Sequence, residues 1–545
     1  MTKRLSICLI NPRSQPSYWT ADFAMLFYGL GRKLKYSMAN GALVSVAALV
    51  PPAHEVVIID ENVERIDFHA LQRFDVIGVT GMVVQSKRMC EILEQLRTLP
   101  AVIVVGGPLV TVSEGMFAEL CDVRFIGESE DTWPVFLNAL ASGAPTEARY
   151  EQQEKTEMTS VPVPRFDLLK RGYYGTAPVQ FSRGCPFLCE FCDIITIFGR
   201  RPRVKRAEQV LAELDAVLAQ GFTGCFLVDD NFIGNKLEAK KLLRRIVEWQ
   251  EDHGFPLKFV TEASINLAND QEFIDLMVQA NFQSVFIGIE TPRESSLTET
   301  RKHQNVHGDS LLEKLARIRA RGLVVSGGFI VGFDNDDERI FDEQFEFIQA
   351  SGIANLSISL LTPLPTTPLY DRLLAEGRLD LSDPELIYIP RQMTREQLKS
   401  GFRLLLNRVF DVDAYFDRVF TGSKIAKSHN QPGERTSAQA GKPLTQRLLF
   451  TSAWTARAIL LVFVMAKQRQ LLRHVQAVSR VLRKNAALGE DRFGFGEMVG
   501  HLIAYWHFSS VTRQISGTMF GNVPQGSESR VVQGEVPLSR LAGVD

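Results

Sequence analysis

The alternation that runs from Leu5 to Leu361 constrains this chain more than any single residue does. Short apolar runs of strand length are separated by stretches whose apolar residues repeat at helical spacing. Five runs come first: Leu5–Ile10, Glu55–Ile59, Asp75–Thr80, Ala101–Val105 and Val123–Ile126. Strands that alternate with helices pair in parallel, so residues 1–141 are expected to form an α/β, doubly wound, Rossmann-like domain. Ligands of such sheets sit beyond the carboxyl ends of the strands. Five tips fall there: Asn11-Pro12, Asp60-Glu61-Asn62, Gly81, Gly106-Gly107-Pro108 and Gly127-Glu128-Ser129-Glu130.

A polar, Pro-bearing passage at 142–170 reads as a linker. Six further strands follow, near 177–183, 224–229, 257–263, 284–290, 323–331 and 354–361, with helices between them. They predict a partial (β/α)6 barrel over 171–375, whose chemistry belongs at the carboxyl ends of its strands. Beyond it the chain turns mostly α-helical over 376–520, with a Gly-, Ser- and Pro-bearing break at Thr421–Pro443, and residues 521–545 read as a frayed tail.

A formal charge of −2 over 545 residues gives no reason to expect nucleic acid as a partner. The seven cysteines do not form a secreted disulfide framework, and the apolar run at the N-terminus is too short for a signal-peptide core or a membrane span, so the cytoplasm is the expected compartment.

Three of those cysteines lie within eight residues, Cys185-Pro-Phe-Leu-Cys189-Glu-Phe-Cys192, at the end of the first barrel strand. Clusters of iron and sulfur are commonly held by four thiolates; three without an evident fourth leave one iron open to a substrate or cofactor. The alternative is a structural zinc site, which wants a fourth ligand, whereas Cys8, Cys90, Cys121 and Cys225 all stand singly. The second barrel strand ends Asp229-Asp230-Asn231-Phe232. Two acids and an amide there can bind an ammonium group or a ribose; Asp230 or Asn231 can equally cap the next helix. The fourth strand ends in Glu290, a rim residue in the simplest reading, and the fifth, Ser326–Phe333, has glycines that let a flat ring approach the backbone. The Pro-rich stretch Leu361–Tyr370 reads as a rigid turn.

The cysteine spacing, with aromatic Phe191 before the last cysteine, resembles the signature of the radical S-adenosylmethionine enzymes. Together with Asp229-Asp230-Asn231-Phe232, the Pro-rich turn and the sheet domain ahead of the cysteines, the chain resembles over residues 1 to about 375 the subclass that binds cobalamin. The resemblance implies a 4Fe-4S cluster on Cys185, Cys189 and Cys192, and S-adenosylmethionine contacted by Phe191, Asp229, Asp230, Asn231 and Glu290. It also implies cobalamin over Asn11, Gly81, Gly106, Gly107, Gly127 and Glu128. The Asp-x-His-x-x-Gly motif that supplies a lower-face histidine elsewhere is missing, and His54 and His69 read as surface residues. A methylthiotransferase would need a second cluster, for which three isolated cysteines in the N-terminal half give no support. The implied reaction is a methyl transfer by a cobalamin-dependent radical methyltransferase, with a 5′-deoxyadenosyl radical abstracting an unactivated hydrogen and a ferredoxin or flavodoxin supplying electrons.

Between Arg435 and Gly489 stand ten Lys or Arg and no Asp or Glu, and within this stretch Ala458–Ala466 is wholly apolar but too short to span a bilayer. Residues 444–488 could lie on an anionic membrane surface, which would put the protein peripherally on the inner membrane face; a buried helix followed by a solvated basic one, or RNA contact, are the alternatives. The arrangement resembles the hopanoid C-2 methyltransferases, which implies a lipid substrate. An anaerobic porphyrin ring cyclase, a natural-product C-methylase and an iron-sulfur redox sensor stay open as other readings.

Overall fold

The computed structural model describes residues 3–15, 34–383, 385–427, 455, 457, 458, 471–489 and 492–516. The first sheet contains β1 (Ser6–Asn11), β3 (Glu55–Asp60), β4 (Val76–Thr80), β5 (Val102–Gly106), β6 (Val123–Ile126) and β7 (Arg149–Glu151), in the order β3-β1-β4-β5-β6-β7 and parallel throughout. Helices cover both faces, which is why the strands are nearly continuous apolar runs. Along β1 the side chains alternate: Leu5, Ile7 and Leu9 enter one core, Cys8 and Ile10 the other. The helix Ser86–Leu96 buries Met89, Ile92, Leu93 and Leu96, a stripe at helical spacing laid against the sheet. The strand order reverses between β1 and β4, so a crevice opens at those two tips.

The second sheet is curled and wholly parallel, in the order β15-β14-β13-β12-β11-β8-β2. Its six main strands are β8 (Tyr174–Val179), β11 (Gly224–Leu227), β12 (Lys258–Ala263), β13 (Phe282–Glu290), β14 (Val324–Val331) and β15 (Leu356–Leu360). The seventh, β2 (Tyr36–Met38), comes from the N-terminal region and pairs with β8, Tyr36 opposite Tyr174 and Met38 opposite Thr176. The six expected barrel strands are all present, and β2 adds a seventh at the edge of their sheet: a three-residue strand without an apolar alternation has no signature of its own and exists through its partner. Likewise β7 lies within the stretch read as a linker. The short antiparallel pair β9 (Ser182–Arg183) and β10 (Arg203–Val204) brackets the cysteine loop.

Local signals set the helix ends. Asn235 caps the helix Lys236–His253 by accepting from the Glu238 N–H, and Gly254, in the left-handed region, ends it. Ser310 and Glu313 form a capping box for Leu311–Ala320. The Pro-rich turn leads into the helix Pro368–Ala375, with Pro368 in its first turn and the Thr367 hydroxyl capping Tyr370.

The C-terminal region is helical, with Arg395–Val409, Val412–Lys427, Leu471–Ala487 and Phe495–Ser516. The expected break at Thr421 begins instead as helix, which continues to Lys427; the rest of it, with 459–470 and the tail, lies outside the described residues. The helix Leu471–Ala487 buries Ala477 and Val481 in the barrel-side core, and two of its basic residues are paired: Arg480 with Asp413 at 3.0 Å and Lys484 with Asp417 at 3.0 Å. Among the described residues no helix is long and apolar enough to cross a membrane.

Candidate functional site

The cysteine loop starts where β8 ends. At the tip of β11 side chains alternate, so the adjacent acids Asp229 and Asp230 must face opposite ways. Asp229 turns outward into the core, 1% exposed, and accepts from the Phe181 N–H at 2.8 Å, the Ser182 N–H at 3.0 Å and the Ser182 hydroxyl at 2.7 Å. Burial pushes its pKa up to about 7 against those donors. Asp229 thus shapes the turn that delivers the cysteines and does not face the barrel lumen. Asp230 accepts from the Gly184 N–H at 2.8 Å, and burial lifts its pKa to about 6. At Gly184 φ is +97° and an added Cβ would lie 2.8 Å from the Gly199 carbonyl oxygen, so only glycine fits.

The three thiols are free. Asn231 places its amide nitrogen 3.8 Å from the Cys185 sulfur, held there because its carbonyl oxygen accepts from the Ser264 N–H and hydroxyl. Gln304 donates to the Cys189 sulfur at 3.4 Å. Glu190, between two cysteines, is ion-paired with Arg372 at 2.7 Å, and its backbone joins Thr300 and Leu369. Among the described residues no three His, Cys, Asp or Glu side chains converge as ligands of one ion.

Inside the curled sheet, Ser284, Phe286 and Gly288 of β13 alternate with the buried Val285, Ile287 and Ile289 and line a lumen left partly open. Glu290 closes that strand at φ +67° and is ion-paired with Lys302; both groups lie over Gly288, where a Cβ would have no room. The Lys302 ammonium is 5.7 Å from the centre of the Phe191 ring, which packs 6.1 Å from Phe333. Burial is the strongest influence on Lys302 and works against its charge, but Glu290 together with Cys189 and Cys192 offsets it and holds the pKa above the usual lysine value. Glu262, at the tip of β12, was missed by the sequence reading. Burial, then Asp230, pushes its pKa up to about 7, and among the described residues nothing hydrogen-bonds its carboxylate. The signal was present: like Glu290, it is an acid at the end of an apolar run. Asp230, Asn231, Glu262, Glu290, Lys302 and Phe191 therefore gather around the cysteine loop.

A cavity of about 440 Å³ opens between the tips of the first sheet and the barrel mouth. Gly81, Gly106, Gly107, Gly127 and Glu128 line it, facing Arg183, Phe198 and Lys205 from the cysteine-loop side. It also runs down past Leu9, Gly78 and Val104, a slot between the sheet and the helix Gly41–Ala48. At Gly107 φ is +103° and a Cβ would collide with the Thr80 hydroxyl. This small-residue cradle above a deep slot fits a broad planar group carrying a long tail, as corrin and nucleotide do in cobalamin. Asn11 does not line the cavity. It is 4% exposed, donates to Asp60 at 3.0 Å and accepts from Asn40 and Gln85, a network that Tyr174 of β8 completes on Asp60. The Glu128 carboxylate is also committed, to Arg183 at 2.8 Å, Arg203 at 3.0 Å and the Thr156 N–H at 2.8 Å, so its backbone alone is free to meet a ligand.

Comparison with known proteins accords with this geometry. Residues 179–374 match the Radical SAM superfamily, 29–137 the B12 binding domain, and 367–518 a domain of unknown function. An uncharacterized methyltransferase of Synechocystis sp. is 40% identical over 420 residues, 76% of this chain and 77% of its own. The hopanoid C-2 methylase of Rhodopseudomonas palustris is 32% identical over 421 residues, 76% of this chain and 79% of its own. Among solved structures, the cobalamin-dependent S-adenosylmethionine radical enzyme OxsB, with aqua-cobalamin and S-adenosylmethionine bound, superposes with a TM-score of 0.59 at 16% identity, covering 94% of this chain and 80% of that one, a likeness of fold.

Proposed function

The chain belongs to the cobalamin-dependent radical S-adenosylmethionine methyltransferases, and from that membership we propose that it methylates an unactivated carbon of an apolar polycyclic lipid, C-2 of a hopanoid. The 4Fe-4S cluster, S-adenosylmethionine and cobalamin carry the radical and methyl chemistry when bound. The protein's own residues bind, orient and exclude water. Cys185, Cys189 and Cys192 are the thiolates for the cluster. Asp230, Glu262 and Glu290 present acceptors to the amino and ribose groups of S-adenosylmethionine, Asn231 donates its amide toward the Cys185 sulfur, and Phe191 walls the loop. Gly81, Gly106, Gly107 and Gly127 let the corrin approach the backbone.

The observation that carries the reading is the shared cavity: residues of the cysteine loop's flank, Arg183 and Phe198, and the strand tips of the first sheet line the same space. A substrate entering between them meets both reactive groups. An apolar substrate is supported by the lumen, where Phe226, Val228, Val260, Phe286 and Ile330 form an apolar wall beside Ser284, with the acids Asp230 and Glu262 confined to the strand tips. It is further supported by Met82, which lines the cavity and is 61% exposed, and by the exposed Val83 and Val84 that follow it in the chain. The likeness to the hopanoid methylase of Rhodopseudomonas palustris directs the choice of lipid.

Anaerobically purified protein, reconstituted with cluster and cobalamin and given S-adenosylmethionine, is incubated with an unmethylated hopene and, separately, with a chlorophyllide. A gain of one methylene mass on hopene, placed at C-2 by fragmentation, is the expected result. Methylation of the tetrapyrrole alone would replace this reading.

A further inference from the structure

The cysteine loop also lines a second pocket, separate from the cavity over the first sheet. Phe187 and Leu188, between the first two cysteines, line a pocket of about 380 Å³ together with Arg200, Arg301, His303, His307 and Gln304. The pocket's rim is basic. Arg200, its neighbour Arg201, and Arg301 are exposed, and no carboxylate pairs with any of the three among the described residues. Of the acids nearest in sequence, Glu190 and Glu299 are engaged by Arg372 and Asp309 by Arg317, while Asp193, in the first turn after the last cysteine, has no cationic partner among the described residues. Leu188, 38% exposed, adds an apolar spot at the centre of this charge. Beneath it, Gln304 reaches from the pocket wall to the Cys189 sulfur at 3.4 Å, so one side chain separates the pocket from a cluster ligand.

We propose that this pocket is where an acidic one-electron carrier protein docks to reduce the cluster. Uncompensated cations around an apolar centre are what an acidic protein face recognises, steering its approach and then excluding water at contact. The pocket shares no lining residue with the cavity over the strand tips of the first sheet, so a carrier seated on it leaves that cavity clear. In the step itself one electron leaves the reduced carrier and enters the oxidised cluster; the carrier is oxidised by one electron, the cluster reduced by one, and no bond or proton changes hands. The inference rests on the reading that Cys185, Cys189 and Cys192 hold the cluster, and on nothing about the methyl acceptor.

The test uses full-length, cluster-loaded protein and follows bleaching of the cluster's visible absorbance after rapid mixing with photoreduced flavodoxin. A second arm uses photoexcited deazaflavin, a small uncharged reductant that needs no docking face. The double variant Arg200→Glu, Arg301→Glu should lose about tenfold or more in the second-order rate with flavodoxin at low ionic strength, and most of its salt dependence. Its rate with deazaflavin should match the parent, and Lys258→Glu, an exposed reversal at the opposite end of β12, should change neither. Parent-like reduction of the double variant by flavodoxin would overturn the proposal, as would equal losses with both reductants or an equal loss in Lys258→Glu. A parent protein that holds no cluster would sink the underlying reading instead, and is visible before any reductant is added.

Discussion

Arg183 and Glu128 form an ion pair at 2.8 Å that joins the cysteine loop to the cavity rim. The arginine stands two residues before Cys185, and the glutamate sits at the tip of β6. Arg183 also holds Glu130 at 2.7 Å, and Arg203 of β10 shares Glu128. With the Glu128 side chain 1% exposed and that of Arg183 10%, the group is shielded from water, so the loop and the rim are fixed relative to each other. The space the two sites share is defined from both sides by this one network.

Glu128→Gln should destabilise the protein by about 2 kcal/mol or more, since it leaves the largely desolvated Arg203 without a carboxylate and Arg183 with Glu130 alone. The loss should come with weaker cobalamin retention, because the rim is no longer tied to the loop. Urea unfolding and the cobalamin absorbance of the desalted protein measure the two effects; an unchanged midpoint would show that the network contributes nothing.

The cofactor sites should be separable by mutation. Cys189→Ala should abolish cluster assembly and formation of 5′-deoxyadenosine while leaving cobalamin binding intact. Gly107→Val should do the reverse, since a side chain at φ +103° collides with Thr80 at the cavity floor but lies in the other sheet. Iron content and the cobalamin spectrum of each variant check this. Loss of both cofactors in both variants would mean that the two halves fold only together.

Much of this was legible in the sequence, because buried parallel strands are continuous apolar runs and the cysteine spacing is local. Five of the six strands of the first sheet, and the six main barrel strands, fall close to where the apolar runs put them. What was not legible depends on distance or on parity. β2 is three residues whose partner strand lies far along the chain. Asp229 and Asp230 read alike as acids at a tip, yet alternation sends one into the core as a turn-former and the other toward the lumen. Glu128 and Asn11 sit at strand tips as ligand residues would, but their side-chain partners, Arg183 and Asp60 among them, come from elsewhere in the fold and no local pattern announces them.

Lys302→Met should leave Glu290 without its counter-charge under a buried strand end. The expected cost is about 3–5 kcal/mol, with a fall in S-adenosylmethionine affinity. In the double variant Lys302→Met, Glu290→Gln the uncompensated charge is gone, so stability should largely return while S-adenosylmethionine binding stays weak. Thermal unfolding and calorimetric titration separate these outcomes. Recovery of binding along with stability would make the pair structural only.

Asp336 gives the fold a pH dependence of defined sign. It is 1% exposed and accepts from the Gly332 and Phe333 N–H groups at 2.9 Å and 3.0 Å and from the Ser296 hydroxyl at 3.0 Å, fixing the turn that carries Phe333 against Phe191. Burial raises its pKa from 3.8 to about 6, outweighing those donors. A carboxyl with a raised folded pKa stabilises the fold in its protonated form. Its contribution is therefore complete below the unfolded pKa and declines as pH rises through the folded one. Between about pH 4 and pH 7 the decline should amount to something on the order of 3 kcal/mol. Asp336→Asn cannot ionise, and its fixed cost of one mismatched donor is the same at every pH. The stability difference between parent and variant, from urea unfolding across this window, should therefore shrink as pH rises by about that amount. A difference that stays flat would mean that Asp336 keeps its charge in the folded protein, with the two backbone N–H groups and the Ser296 hydroxyl fully compensating its burial.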